Sequence, residues 1–404
     1  MKVLLINNCH YRRGGAETVY FGTAELLLKA GHKVVFFSFA DSDNISTGNP
    51  EYFVKKVTHL KGVVSYFSNN RASTLLEEVI KKEQPDIAHA HLIWGGMTAS
   101  IIPILHKSGI PIIHSVHDYR MICPAYTFRN WDGRVCEKCR SGNYLNCFTS
   151  RCSKGSYIQS LIMALEMIYR NKKWHPAEVL DGIIYVSEFA KKKHEEVNQR
   201  FAQVPNVVLY NFTAVGETHP MEVVAGDYFL YYGRLSREKG ISTLASVFAN
   251  HPELHLKVVG TGPIETELRS KYCNNVEFLG YKSGEELYNL VRKARYVCVP
   301  SEWYENNPMT IVEAYSMGVP VIGARIGGIP EIVKDGETGF LFECGRKDSL
   351  DHVLKRVAAE SDDSVVEHKK AASTFAKKHF SIEDYSQKLL SFYSQVISNF
   401  NNNG

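Results

Sequence analysis

Two glutamates at Glu-x7-Glu spacing, Glu305 and Glu313, lie in VCVPSEWYENNPMTIVEAYSMGVPVIG, a run that reads as strand, loop, helix, glycine stop and strand. Asn307 suits the cap of that helix, Pro308 its first turn and Gly318 its end, which predicts a helix of about ten residues. Its first amides, around Met309 to Ile311, then point back toward a loop at the carboxyl end of a strand, and that is an anion site by geometry. Glu313 falls about two turns in, between Val312 and Ala314 on a largely apolar element, so its carboxylate needs a partner. Hydroxyl-rich ligands supply one, because each carboxylate can accept two hydroxyl hydrogen bonds. The competing expectation is a solvated Glu305 and a Glu313 paired with a structural arginine.

Other residues could also carry chemistry. Cys136-x2-Cys139-x7-Cys147-x4-Cys152 brings four thiols and a CxxC pair into one short stretch. This predicts either a structural zinc or four free thiols in an ordinary loop. Cys123 and the dispersed Cys9, Cys273, Cys298 and Cys344 read as core or loop residues. Asp41-Ser42-Asp43 has the Asp-x-Asp form of a metal-diphosphate motif but follows a strand, so we read it as a loop and expect no catalytic metal. His117 and Asp118 end an apolar strand. Among 16 histidines only that placement singles His117 out. Gly14 and Gly15 open a helix after the first strand, where a missing side chain lets backbone approach a ligand.

The elements that must hold these residues are legible as alternation. Short apolar runs at Val3–Ile6, Val34–Ser38, Ile87–Ala90, Ile112–Val116 and Gly182–Val186 read as strands, separated by helices near Glu17–Lys29, Ser73–Lys82, Met97–His106 and Glu188–Val197. The second half repeats the design with strands at Tyr228–Tyr232, Lys257–Gly260, Tyr296–Pro300 and Val319–Ala324. Two doubly wound α/β units with a cleft between them are expected. The boundary falls near Asn211 to Gly226, after a Val207–Tyr210 strand. A last helix near Ile382 to Ile397 presents Tyr385, Leu389, Tyr393 and Val396 for packing, and the NFNNNG tail is expected to fray. The stretch from Tyr119 to Cys152 has no period and reads as an insertion after a strand.

Length and composition agree. The 404 residues are 44% apolar and 22% charged, the balance of a soluble globular chain. A net charge of +4 argues against a nucleic-acid partner. MKVLLINN is too short an apolar run for a signal peptide, and Ile87 to Leu105 is too interrupted to span a membrane, so a cytoplasmic protein is expected. In SYIQSLIMALEMIYRNKKWH an apolar face ends in Arg170, Lys172, Lys173 and Trp174. It is either a core helix with a basic end or a surface for an acidic membrane.

ENNPMTIVEAYSMGVPVIGARIGGIPEIVKDGETGFLF resembles the donor-site signature of the retaining glycosyltransferases of family 4 (glycosyl transferases group 1). GRLSREKGISTL resembles that family's Arg/Lys phosphate segment, VVGTGP its next strand-turn, NNVEFLGY its base-proximal loop and RRGGAE its Gly-rich first loop. The resemblance implies the GT-B architecture, with residues 1–212 plus a returning helix of about 381–404 on the acceptor side and residues 213–380 binding the nucleotide sugar. It implies a UDP- or GDP-sugar donor, a glycan or lipid-linked acceptor at or near the inner membrane face, and retention of anomeric configuration. By the same resemblance, Arg234, Lys239 and the amides from Asn306 through Asn307 and Met309 to Thr310 would hold the diphosphate, and Tyr281 would lie near the base. Gly14 and Gly15 would approach the donor, Glu305 would face its sugar and Glu313 its ribose, and His117 would contact the sugar. A sugar-nucleotide epimerase and a nonenzymatic sensor are the alternatives. A dehydrogenase is disfavoured because Gly260-Thr261-Gly262 is followed by Glu265 where a third glycine belongs.

Overall fold

The computed structural model describes residues 1–56, 60–219, 221–222, 224–272 and 274–403, without the side chains of residues 60, 61 and 403. The chain divides into two compact units. The N-terminal unit comprises Met1–Asp132, Cys136–Leu209 and Tyr385–Gly404, and the C-terminal unit Gly133–Val135 and Tyr210–Asp384.

Seven strands form the N-terminal sheet: β1 (Lys2–Ile6), β2 (Lys33–Phe39), β3 (Glu51–Val54), β4 (Ile87–Ala90), β5 (Ile112–Val116), β6 (Gly182–Tyr185) and β7 (Asn206–Val208). Their order is β3-β2-β1-β4-β5-β6-β7, and every pairing is parallel. The C-terminal sheet holds β8 (Phe229–Tyr232), β9 (Leu256–Val259), β10 (Val276–Gly280), β11 (Tyr296–Val299), β12 (Val321–Arg325) and β13 (Gly339–Glu343) in the order β10-β9-β8-β11-β12-β13, again all parallel. Both are doubly wound α/β folds of Rossmann type, with the strand order reversing between β1 and β4 and between β8 and β11. Continuous apolar strands follow from helices covering both faces. In β8, Phe229 and Tyr231 enter one core and Leu230 and Tyr232 the other.

Three strands were not anticipated: β3, β10 and β13. Each lies at a sheet edge. NNVEFLGY, expected as a loop, contains β10. The helix expected over Met97–His106 is a 3-10 turn at Ala99–Ile101 followed by a short helix at Ile102–Lys107, and Pro103 sits in the first turn of that helix. The tail does not fray at NFNNNG, because the last helix runs from Ile382 to Asn403.

That helix belongs to the core of the N-terminal unit. Tyr385, Leu389, Phe392, Tyr393 and Val396 are buried along it. Gly182 in β6 leaves room for it, since a Cβ there would stand 2.9 Å from the Val396 side chain and 3.0 Å from Phe392. The Tyr393 hydroxyl meets His89 Nδ1 at 2.6 Å, tying the helix to the middle of the sheet. Leu389→Ala should therefore cost the N-terminal unit about 2–4 kcal/mol, read as a lowered urea midpoint.

Candidate active site

The anticipated carboxylate loop follows β11, beside the β8–β11 reversal. Glu305 is 8% exposed, and three donors converge on its Oε1: Lys239 Nζ at 2.7 Å, Ser301 Oγ at 2.8 Å and Trp303 Nε1 at 2.7 Å. The Lys239 ammonium also stands 5.1 Å above the Trp303 ring. Burial by itself would raise the Glu305 carboxyl. Lys239 and the neutral donors outweigh it and hold the group below its ordinary range, so Glu305 is ionised.

Two glycines let these parts meet. Gly240 has φ +69°, and a Cβ there would stand 1.8 Å from the Pro300 carbonyl at the end of β11. Only glycine lets the loop after β8 come this close and bring Lys239 to Glu305. Gly327, at φ +60°, would place a Cβ 2.2 Å from the Glu305 carbonyl, which also accepts from the Gly328 amide at 2.8 Å.

The helix after Glu305 runs Met309–Ser316 and is shorter than expected. Asn307 does not cap it: Pro308 is the N-cap residue, and it makes no side-chain capping bond. Asn307 instead accepts from the Asn211 amide at 2.9 Å, and Asn211 Nδ2 donates to its carbonyl at 2.7 Å. It ties the segment entering the C-terminal unit to the site loop. A cavity of about 40 Å³ is lined by Lys239, Ser301, Glu305, Pro308 and Thr310, with Tyr231 and Tyr232 from β8 and Gly233 just after it. Two larger cavities, of about 380 and 500 Å³, open at the amino ends of strands, away from these groups. Their lining has no convergent set of this kind.

Of the residues expected at the site, the structure brings together Lys239, Glu305 and Thr310. Asn306 and Asn307 are buried in the same loop and Met309 opens the helix. Arg234 and Tyr281 are exposed, Tyr281 by 72%, on the loops that follow β8 and β10. Glu313 is half-buried and has no Lys, Arg or His partner among the described residues, contrary to the expectation of a structural arginine. The Tyr232 hydroxyl lies beside it but donates to the Thr310 carbonyl at 2.8 Å. One hydroxyl proton cannot serve both acceptors. Burial consequently pushes the Glu313 carboxyl up to about 7.

In the N-terminal unit, histidines gather at the carboxyl ends of β4 and β5. His91 Nδ1 and His117 Nε2 are 2.8 Å apart, and the two rings are stacked at 10° with centroids 5.1 Å apart. His89 stacks on His91 with ring centroids 4.4 Å apart and bonds Ser115 Oγ at 2.8 Å. The Trp94 indole N–H donates to His114 Nε2 at 3.0 Å, which puts the proton of that neutral ring on Nδ1. Burial lowers all four histidines, His89 to about 3 and His117 to about 4. They are neutral at physiological pH.

Sequence reasoning missed His89, His91 and His114. The available signal was His-Ala-His at the end of a buried strand, two imidazoles on one face. Gly14 precedes the Gly15–Lys29 helix in extended conformation, and nearby Glu17 is buried, which raises its carboxyl above the usual range.

Arg170, expected at the basic end of either a core helix or a membrane-facing one, is 2% exposed and pairs with Glu166 at 3.0 Å. Glu166 also meets Arg120 at 3.3 Å, so Arg170 anchors the insertion to the Tyr157–Lys173 helix. The opposite side of that helix exposes Ile158, Leu165 and Ile168. No helix among the described residues is long and apolar enough to cross a membrane.

The cysteine cluster differs in membership from the expected set. Cys152 acts electrostatically on Cys123, Cys139 and Cys147, and Cys123 acts on Cys139 and Cys147, so Cys123 joins the cluster. Burial pushes the Cys123 thiol to about 11 and the Cys139 thiol to about 12, which keeps them protonated. Among the described residues no group of three or more His, Cys, Asp or Glu is arranged to hold a metal ion. Zinc on Cys136, Cys139, Cys147 and Cys152 thus finds no support in this geometry. Cys298 lies in the core as expected, while Cys273 lies outside the described residues. Asp41 pairs with Lys56 and accepts from the Asp43 amide at 3.3 Å, forming a turn.

Residues 13–212 match the family model of Glycosyltransferase Family 4, and residues 223–379 match that of glycosyl transferases group 1. A sulfoquinovosyl transferase of Arabidopsis thaliana is 35% identical over 120 residues, 29% of this chain and 23% of the relative. An uncharacterized glycosyltransferase of Methanocaldococcus jannaschii is 31% identical over 176 residues, 42% of this chain and 47% of the relative. These matches span less than half of each relative. A solved Anabaena structure in complex with UDP has the same fold, with TM-score 0.70 at 18% identity, covering 98% of this chain and 100% of that one.

Glu313, which has no cationic partner among the described residues, carries a measurable cost. Its carboxyl sits at about 7 in the fold against an ordinary 4.5, so stability is full below pH 4.5 and falls as pH rises to 7. Glu313→Gln should stabilise the ligand-free protein by about 1–3 kcal/mol at pH 8 and by little at pH 4.5. Urea unfolding at the two pH values checks it; equal effects would show that the carboxylate is not destabilised by burial.

Proposed function

The chain belongs to the group 1, family 4 glycosyltransferases, and from this premise we propose that it transfers a sugar from a nucleoside-diphosphate donor to a hydroxyl of a glycan or lipid-linked glycan. The observation that carries this reading is the Lys239–Glu305 pair beside a helix start at the β8–β11 reversal. An ammonium and backbone amides stand where a leaving diphosphate gains charge as the glycosidic bond breaks. Arg234, on the exposed loop of the same segment, supplies the second cation. Lys239 already satisfies Glu305 Oε1, so Oε2 accepts from the sugar hydroxyls. Glu313 accepts from the ribose, and the exposed Tyr281 ring stacks on the base.

In the proposed reaction the bond from the anomeric carbon to the phosphate oxygen breaks, and the acceptor oxygen bonds to that carbon on the same face. The acceptor proton leaves with the departing diphosphate. His117 contacts the donor sugar. The UDP bound by the Anabaena relative makes UDP-sugars the first donors to screen. Because Asp41 is engaged by Lys56, no divalent cation is assigned to the diphosphate. The apolar stripe of Ile158, Leu165 and Ile168, with the nearby Lys172 and Lys173, suits peripheral contact with an acidic membrane.

A thermal-shift screen of nucleotide sugars identifies the donor, and NMR of the product anomer reads the stereochemistry. Lys239→Met should reduce kcat by about 10²–10³, and His117→Ala should reduce turnover while donor binding is kept. Turnover should survive chelator. Activity that collapses in chelator and returns with manganese would overturn the cation-free reading, and an inverted product anomer would overturn retention. Flotation with vesicles containing acidic lipid tests the membrane contact.

A further inference from the structure

The structure bears on how His117 is prepared for the role proposed above, and the inference here rests on that reading. His117 does not stand alone: its Nε2 is 2.8 Å from His91 Nδ1. His91 is fully buried, stacked on His89 at 4.4 Å and met edge-on by Tyr20 at 5.3 Å. His89 is itself fixed on both ring nitrogens, by Tyr393 at 2.6 Å and Ser115 at 2.8 Å. The His91 ring is thus packed by His89 and Tyr20 and tied at Nδ1 to His117.

Both partners are neutral, so each carries one N–H and one lone pair. A 2.8 Å contact between them is one N–H facing one lone pair, and only two arrangements exist. If His117 donates, the single proton of His91 must sit on its Nε2, which is buried with no hydrogen-bond partner among the described residues. If His91 donates from Nδ1, its Nε2 keeps only a bare lone pair. Orphaned buried donors are the rarer and costlier case. The second arrangement is favoured, and it leaves His117 with its proton on Nδ1.

We propose that His91 is a positioning residue which donates from Nδ1 to His117 Nε2, fixing His117 as the Nδ1–H tautomer. His117 then meets the sugar as a neutral hydrogen-bond donor and not as a base.

The test is a long-range proton–nitrogen spectrum of ¹⁵N-histidine-labelled protein, with the His117 signals assigned from His117→Gln. The wild-type ring should show a protonated Nδ1. His91→Phe keeps a flat ring but removes the donor; it should shift His117 toward the Nε2–H form and lower kcat by roughly a hundredfold, with the donor KM changed little. His91→Asn carries an amide N–H in place of Nδ1 and should keep both the tautomer and most of the turnover. A wild-type proton on Nε2, or an unchanged tautomer in His91→Phe, overturns the proposal. Should His91→Phe not fold, loss of the Nδ1–H form in His91→Asn does so instead. If the tautomer behaves as expected while His117→Gln retains full turnover, the sugar contact fails and the positioning by His91 stands.

Discussion

Everything in the C-terminal site depends on keeping one carboxylate ionised while it is almost out of water. An unpartnered buried charge is expensive, and its usual escape is to take up a proton. Glu305 is prevented from doing so by a cation, an indole N–H and a hydroxyl, all aimed at a single oxygen. The close approach at Gly240 brings the cation, and the contact at Gly327 fixes the backbone that carries the carboxylate. Buried ion pairs are weak stabilisers, because desolvation consumes most of the attraction. Such a pair in a loop is better explained by what it presents than by what it holds together.

The two glutamates are treated in opposite ways by surroundings only a few residues apart. Glu305 is held below its ordinary range by partners, and Glu313 is driven up by burial, which outweighs the pull of the Tyr232 hydroxyl. Environments that separate two like groups in this way mark functional sites, since structural packing alone would neutralise or replace the second. A ligand offering hydroxyls to Glu313 would relieve a strain that the free protein carries, turning local instability into binding energy.

Much of this was legible in the sequence, and the parts that were not share physical causes. Central strands such as β1, β5 and β8 are covered on both faces and announce themselves as apolar runs. The unanticipated β3, β10 and β13 pair on one side only; Glu277 breaks the apolar run of β10, and Glu51 and Glu343 shorten those of β3 and β13 at their ends. The Glu-x7-Glu loop was found because its glycines, proline and carboxylates are local in sequence. The same local logic misassigned Asn307, which has the right type for a cap but is claimed by Asn211 from far along the chain. His91 and Cys123 were missed for the same reason. Their importance comes from neighbours on other strands and loops, and spacing within one segment does not reveal it.

The bond from Tyr393 to His89 spans 304 residues of chain. During synthesis, the strands of the N-terminal unit emerge first but lack the helix that covers Gly182 and secures His89. The C-terminal unit, lying between, has all its parts before residue 385 is made. The unit that is translated first is therefore the one whose core closes last, and until then its nascent sheet exposes apolar surface that a chaperone would recognise.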